Sequence, residues 1–149
     1  MRVPGGNRYG SAGAVFTRIR RGILVAAGGR PGRLFRLRGD GRPDRSFGTR
    51  GSVRVPVRDS TDILRQGRGI LVSGRARIVR LRRTGRLDPT FAVDGVLYSP
   101  AVGEDMLIDH LGRIVSSRGI WRPRKSYDEE SGNFGYSESG SFALARILP

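Results

Sequence analysis

The sequence predicts an all-β fold built from repeated units of four short strands, and three observations carry that expectation. Glycine and proline are dense, 23 and 8 of 149 residues, and break residues 22–103 too often for an amphipathic helix to survive. The apolar runs are short and bounded by arginine or glycine, as in "GILVAA" (22–27) and "GILVSG" (69–74). One turn is spelled twice, "GRPDRSFGTRG" (41–51) returning as "GRLDPTFAVDG" (85–95). Gly41, Arg42, Asp44, Phe47 and Gly51 reappear there as Gly85, Arg86, Asp88, Phe91 and Gly95, all at an offset of 44.

Taken in order, residues 1–13 read as a flexible N-terminus, without an apolar stretch that would make a secretory signal. "GILVAA" and "GILVSG" have the length of buried inner strands. "RLFRLR" (33–38) and "RIVRLR" (77–82) place Leu34 and Leu37, or Ile78 and Leu81, among arginines and predict the next strand. "SVRVPV" (52–57) alternates strictly, with Val53, Val55 and Val57 on one face, and Pro56 marks it as lying near a sheet edge. "TDILRQ" (61–66) and "EDMLID" (104–109) then supply the fourth strand of each unit.

The repeat extends beyond the turn. "RLFRLR" matches "RIVRLR" at the same offset of 44, whereas "RGILVAAG" (21–28) matches "RGILVSG" (68–74) at 47. The difference is absorbed where "GGRPG" shrinks to "RA", at a hairpin tip that tolerates length change. A third copy starts at "GRIVSS" (112–117) and regains register at "ALARI" (143–147), where Arg146 aligns with Arg80 at an offset of 66. Between them lies an insertion at about 118–140, rich in Ser, Gly, Tyr and acids, which reads as a long surface hairpin or partly disordered loop. The units fall at about 22–67, 68–111 and 112–149. Four strands in about 45 residues is the period of a β-propeller blade. About two complete blades plus partial ones are expected, an incomplete or open propeller, since a toroid needs at least about four.

These residues resemble the delta-60 repeat, a bacterial β-propeller-type repeat whose units run through G-(K/R)-I-(L/V)-V-A-G and F-A-L-A-R-L to a D-G-x-L-D-x-(S/T)-F-G turn. "RGILVAAG", "LFRLRGDGRPDRSFGTRG", "RIVRLRRTGRLDPTFAVDG" and "FALARILP" follow that order. Pro43, Thr84 and Ala92 depart from it, and the third unit lacks its turn. The resemblance implies a repetitive, secreted or surface-leaning protein with no catalytic residues to carry over.

Charge is the loudest compositional signal, +15 overall and strongly uneven. Residues 1–100 carry 22 Arg against 6 acids, and residues 101–149 carry 6 basic residues against 7 acids. Such a field attracts polyanions. The near-absence of lysine (Lys125 alone) equally fits a GC-rich genome, and many arginines alternate with apolar residues as the solvated face of strands. Those arginines also guard exposed strand edges against aggregation. There is no cysteine, which excludes disulfides, thiol chemistry and cysteine-held zinc. No stretch approaches the roughly 18 apolar residues of a membrane-spanning helix.

The repeated turn reads as structural. Asp44 and Asp88, two residues before Ser46 and Thr90, suit Asx turns. Phe47 and Phe91 would plug the hydrophobic layer, and Gly41, Gly48, Gly51, Gly85 and Gly95 would supply positive φ or close approach. A calcium loop at "DGRPD" (40–44) is weak, because calcium takes six to eight oxygens and the second copy has Thr84 for its first Asp. His110 beside Asp109 is a lone turn histidine, and "GGRPG" lacks the helix and Lys of a phosphate loop. The expectation is therefore a non-enzymatic structural or binding module without cofactor or metal. Its partners would be further blades, itself through exposed edges, or an unidentified protein or glycan. Trp121, Tyr127, Phe134 and Tyr136 of the insertion are the candidate ligand contacts. The alternative is non-specific binding of nucleic acid or another polyanion.

Overall fold

The computed structural model describes residues 13–128 and 133–147, with side chains described outside 120–142 and 144. The flexible segment expected over 1–13 lies outside the described residues except for Gly13. The chain is all-β, with no helix among the described residues. Among the described residues, eleven strands form three antiparallel sheets. The first is β1 (Ala14–Ile19), β2 (Gly22–Ala27), β3 (Gly32–Arg38) and β4 (Ser52–Val55) in sequence order. The second repeats that order with β5 (Ser60–Gln66), β6 (Gly69–Gly74), β7 (Arg77–Leu81) and β8 (Val96–Tyr98). The third holds β9 (Met106–Ile108), β10 (Ile114–Asp128) and β11 (Asn133–Ile147).

Cross-strand registers recur from sheet to sheet. The row Phe16–Val25–Phe35–Ser52 in the first sheet becomes Ile63–Val72–Val79–Val96 in the second and Met106–Ser116–Ala145 in the third. On the opposite face, Thr17–Leu24–Arg36 becomes Leu64–Leu71–Arg80 and then Leu107–Val115–Arg146. Because alternate residues face opposite ways, each sheet presents a front row and a back row to its neighbours.

The sheets stack back to front. Leu24, Ala26 and Leu34 from the back of the first meet Ile63, Ile70, Val72, Val79 and Leu81 from the front of the second. Leu71 and Ile78 from the back of the second meet Met106 and Ile114 from the front of the third. Each fully buried Leu or Ile contributes about 1.5–3 kcal/mol from apolar burial. Val57 and Val102, both 0% exposed, sit in the connections between sheets and seal the two layers.

Strand identities agree with the sequence reading, but their grouping differs at one point. "TDILRQ" forms β5, which opens the second sheet rather than closing the first. Gly67 and Arg68 join it to β6 in a two-residue hairpin, and such a loop forces its flanking strands to pair. The β4–β5 connection instead carries Pro56 and an Asp59 at φ 50°, and turns the chain out of the first sheet. "EDMLID" likewise contributes β9, which opens the third sheet. β1 plays the same part in the first sheet, on "AVFTRI", a segment with no strand expected from its pattern. The inserted segment is a hairpin, with β10 and β11 in unbroken register from Ile114–Ile147 to Asp128–Asn133.

Candidate functional site

The two copies of the turn fold alike, bond for bond. The Asp44 N–H donates to the Arg36 carbonyl at 2.8 Å, and the Asp88 N–H to the Arg80 carbonyl at 2.9 Å. The Phe47 N–H donates to the Asp44 carbonyl, and the Gly51 N–H to the Phe47 carbonyl, both at 3.0 Å; Phe91 and Gly95 repeat this at 3.1 and 2.8 Å. Gly51 and Gly95 stand at φ 90° and 89°, a left-handed conformation that penalises a Cβ. At Gly51 a Cβ would also lie 2.8 Å from Pro43 Cβ. Gly41 and Gly85 hold the same hairpin corner at φ 79° and 90°.

Asp44 and Asp88 each accept hydrogen bonds within their turn. Asp44 Oδ1 accepts from the Ser46 N–H at 3.0 Å and its hydroxyl at 2.7 Å. Asp88 Oδ1 accepts from Thr90 at 3.2 and 2.8 Å. Both carboxyls titrate below the ordinary aspartate value, chiefly because the Ser46 or Thr90 hydroxyl donates to the ionised form. Partial desolvation opposes that shift, and the backbone N–H of residue 46 or 90 and the guanidinium of Arg36 or Arg80 add to it.

Those two arginines are the members that sequence reasoning missed. Arg36 Nε lies 2.8 Å from Asp44 Oδ2, and Arg80 Nε lies 2.8 Å from Asp88 Oδ2. The second contact is a hydrogen bond, whereas the first is an ion pair off the N–H axis. Their Nη2 atoms donate to Ser46 Oγ at 2.7 Å and Thr90 Oγ1 at 3.0 Å. Each guanidinium lies over its phenylalanine ring, 4.8 Å from the Phe47 and Phe91 centroids. Phe47 is 0% and Phe91 7% exposed, and they belong to the first and second layers respectively. The signal for Arg36 and Arg80 was present in their alignment with Arg146 across three units.

The first turn also ties neighbouring sheets together. Arg36 Nη1 donates to the Arg83 carbonyl at 2.8 Å, and the Gly48 N–H to the Thr84 carbonyl at 2.9 Å. Between the same sheets lies a cleft of about 600 Å³ bordered by Arg20, Arg21, Arg36, Arg65, Arg68 and Arg83, with Asp44 its one acidic wall residue. It adjoins a space of about 890 Å³ reached by Arg82, Arg86 and Asp88. Among the described residues, no ion pair engages Arg20, Arg21, Arg65, Arg68 or Arg83.

The remaining expected positions fall elsewhere. His110 is exposed in the β9–β10 turn, whose Asp109 accepts the Leu111 and Arg113 N–H groups at 2.9 Å and pairs with Arg113 Nε at 2.7 Å. Burial works against ionisation of Asp109, yet these donors hold its carboxyl below the ordinary value. Asp40 receives only the Arg42 N–H and Arg38, and no group of metal-ligating side chains occurs among the described residues. The side chains of Trp121, Tyr127, Phe134 and Tyr136 lie outside the described residues, while register sets Tyr127 opposite Phe134 and Lys125 opposite Tyr136. Compared with protein-family models, curated proteins and solved structures, the chain matches none.

Proposed function

We propose that this chain is a β-propeller-type repeat module of the delta-60 kind, non-enzymatic, with a structural or ligand-binding role as part of a larger array. The observation that carries the reading is the repeated turn, in which the carboxylates, the hydroxyls and the rings serve the turn itself. Asp44 and Asp88 spend their oxygens on Ser46, Thr90 and a guanidinium, and Phe47 and Phe91 are buried beneath. A site used for chemistry would leave such groups facing a substrate. The back-to-front stacking of two four-stranded sheets and one three-stranded sheet, with the first strand of each next to the first strand of the following one, supports the propeller geometry.

Ligand binding is assigned to the β10–β11 hairpin, which departs from the repeat. Positions 121, 127, 134 and 136 share one register face of that hairpin. The test screens the chain and a Trp121→Ala, Tyr127→Ala variant on an array of neutral and acidic glycans. Binding by the parent chain that the variant loses, with the thermal midpoint unchanged, is expected. Equal binding by both chains would move the site off the hairpin.

A second reading, non-specific binding of polyanions, is favoured by the arginine-bordered cleft. Arginines held together without acidic partners gain from a polyanion that displaces small counterions. Affinity for random-sequence single-stranded DNA is expected to fall steeply with added salt. An affinity indifferent to salt would remove this reading.

A further inference from the structure

We infer that the front face of the first sheet is an interface for the back face of the third sheet of a second copy of this chain, giving a head-to-tail assembly. The inference comes from comparing equivalent positions. In the second sheet the front row Ile63, Val72 and Val79 is 2%, 0% and 0% exposed, and Ile70 and Leu81 beside it are 5% and 1% exposed. All are covered by the back of the first sheet. Their counterparts in the first sheet are Phe16, Val25, Phe35, Ile23 and Leu37, equally apolar and placed by the same registers. Yet Phe16 is 77% and Ile23 39% exposed, and the other three are only half-buried. The first sheet thus carries the residues of a covered face without a cover among the described residues.

The complementary surface exists in the same chain. The back row Leu24 and Arg36 of the first sheet, and Leu71 and Arg80 of the second, recurs in the third as Val115 and Arg146, with Leu107 beside them. Leu24 and Leu71 are buried under the following sheet. Leu107 is 53% exposed and Arg146 is exposed. Both internal junctions join such a back to such a front, so a third junction of the same kind needs no new chemistry. The two uncovered faces differ from each other, and the contact is therefore heterologous.

Charge adds a specific pairing. Arg36 reaches the next sheet through the Arg83 carbonyl, beside Thr84. Shifting by 44 residues puts Gly39 and Asp40 of the second copy in those places, opposite Arg146. Asp40 is exposed and, among the described residues, bonded only within its own hairpin, so its carboxylate remains accessible to that guanidinium. The described sheets of two copies number six, within the roughly four to eight of closed propellers, so closure as a dimer is the expected form.

The contact follows from the stacking alone, whereas closure at two copies rests on the proposed propeller reading. Light scattering coupled to size exclusion on the full chain tests both. A species of twice the chain mass is expected. A mass that climbs with concentration keeps the head-to-tail contact and overturns the propeller reading, and a monomer at every concentration overturns the contact itself. Phe16→Asp and Leu107→Asp each spoil one face at an exposed position, so folding, followed by circular dichroism, is retained. Each alone should weaken association on the order of thirtyfold or more, the loss typical of a buried interface anchor. Mixed together they should form a one-to-one dimer through the remaining good faces. Failure of the mixture to associate, or dimerisation of Leu107→Asp by itself, would overturn the head-to-tail arrangement. Asp40→Arg should weaken the assembly and Arg146→Asp restore it in the double variant.

Discussion

Replacing Phe47 by alanine tests whether the repeated turn is a structural anchor. The ring is 0% exposed, belongs to the layer between the first two sheets, and lies beneath the Arg36 guanidinium at 4.8 Å. A Cβ built on Gly85 would approach the same ring at 3.1 Å, so the second sheet's hairpin corner is moulded on it. Removing a buried phenylalanine costs about 3–5 kcal/mol through lost transfer energy and the cavity left behind. Loss of the cation–π contact adds about 0.5–1 kcal/mol at such a partly desolvated site. Against a total stability of about 5–15 kcal/mol the variant is expected to be marginal. Its thermal midpoint should fall by about 7–24 °C, taking about 2–4 °C per kcal/mol for a chain of this size. Urea unfolding followed by circular dichroism reads the effect directly. Phe35→Ala, on the half-buried outer side of the same sheet, provides the internal scale and should cost clearly less. A Phe47→Ala loss below about 1 kcal/mol, or no greater than that of Phe35→Ala, would refute the anchoring role.

Ala92 stands at φ 48°, where the first turn has Gly48 at φ 54°, so Ala92→Gly should stabilise by about 1 kcal/mol in urea titrations. The reverse change, Gly48→Ala, should destabilise more, because its Cβ would lie 2.2 Å from Val53 Cγ1. Asp44 and Asp88 titrate below the ordinary value of 3.8 when folded, so their contribution is complete above that value and is lost as pH falls through the folded values. Stability should thus decline with acid below about pH 4, and a comparison of urea midpoints should find Asp44→Asn, Asp88→Asn less stable at neutral pH with a flatter acid limb. Arg36→Lys removes a planar fork that serves an aspartate, a serine and a neighbouring sheet, whereas Arg80 reaches Gln66 of its own sheet at 3.5 Å instead. Thermal melts should therefore rank Arg36→Lys below Arg80→Lys in stability, by about 1 kcal/mol, because the Arg36 Nη1 bond at 2.8 Å crosses to the neighbouring sheet where the Arg80 Nη1 contact is long and within its own sheet.

Much of the turn was legible because each of its residues answers to one physical demand. Gly51 and Gly95 are needed where φ is positive, Asp44 and Asp88 where backbone donors converge, Phe47 and Phe91 where a layer must be filled. Recurrence at one offset then separates requirement from accident. The grouping of strands was less legible for a reason inherent in repeats: a periodic pattern has no preferred starting point. Where each sheet begins is decided by connections, the two-residue link at Gly67–Arg68 against the longer one through Pro56 and Asp59. The arginines were hardest to read. In a chain where alternating arginines mostly face solvent, nothing local separates Arg36, 15% exposed at its side chain, from Arg38 at 53%. The recurrence of Arg36 as Arg80 and Arg146 singles it out, and its pairing with Asp44 in space, eight residues away in sequence, reveals its function.

That pairing explains why the repeat conserves its spacing where its strands do not. The Arg36–Asp44 and Arg80–Asp88 pairs each clamp a turn to the strand before it, over a buried ring. Any insertion between arginine and aspartate would break the ion pair, the Asx turn and the ring contact together, so length is intolerable there. Between β2 and β3 no such clamp spans the loop, and "GGRPG" and "RA" serve equally well. The third unit makes the same point from the other side. Its added length falls between the second and third strands of the unit, where no clamp spans the loop, and there the chain accommodates β10 and β11 at fifteen residues each, more than twice the length of their counterparts β6 and β7. Arg146 keeps the place of the clamp's cation but is left exposed, in register with partners that the first two units bury. It is well placed to reach a carboxylate on another copy, and Asp40 occupies the position that would receive it.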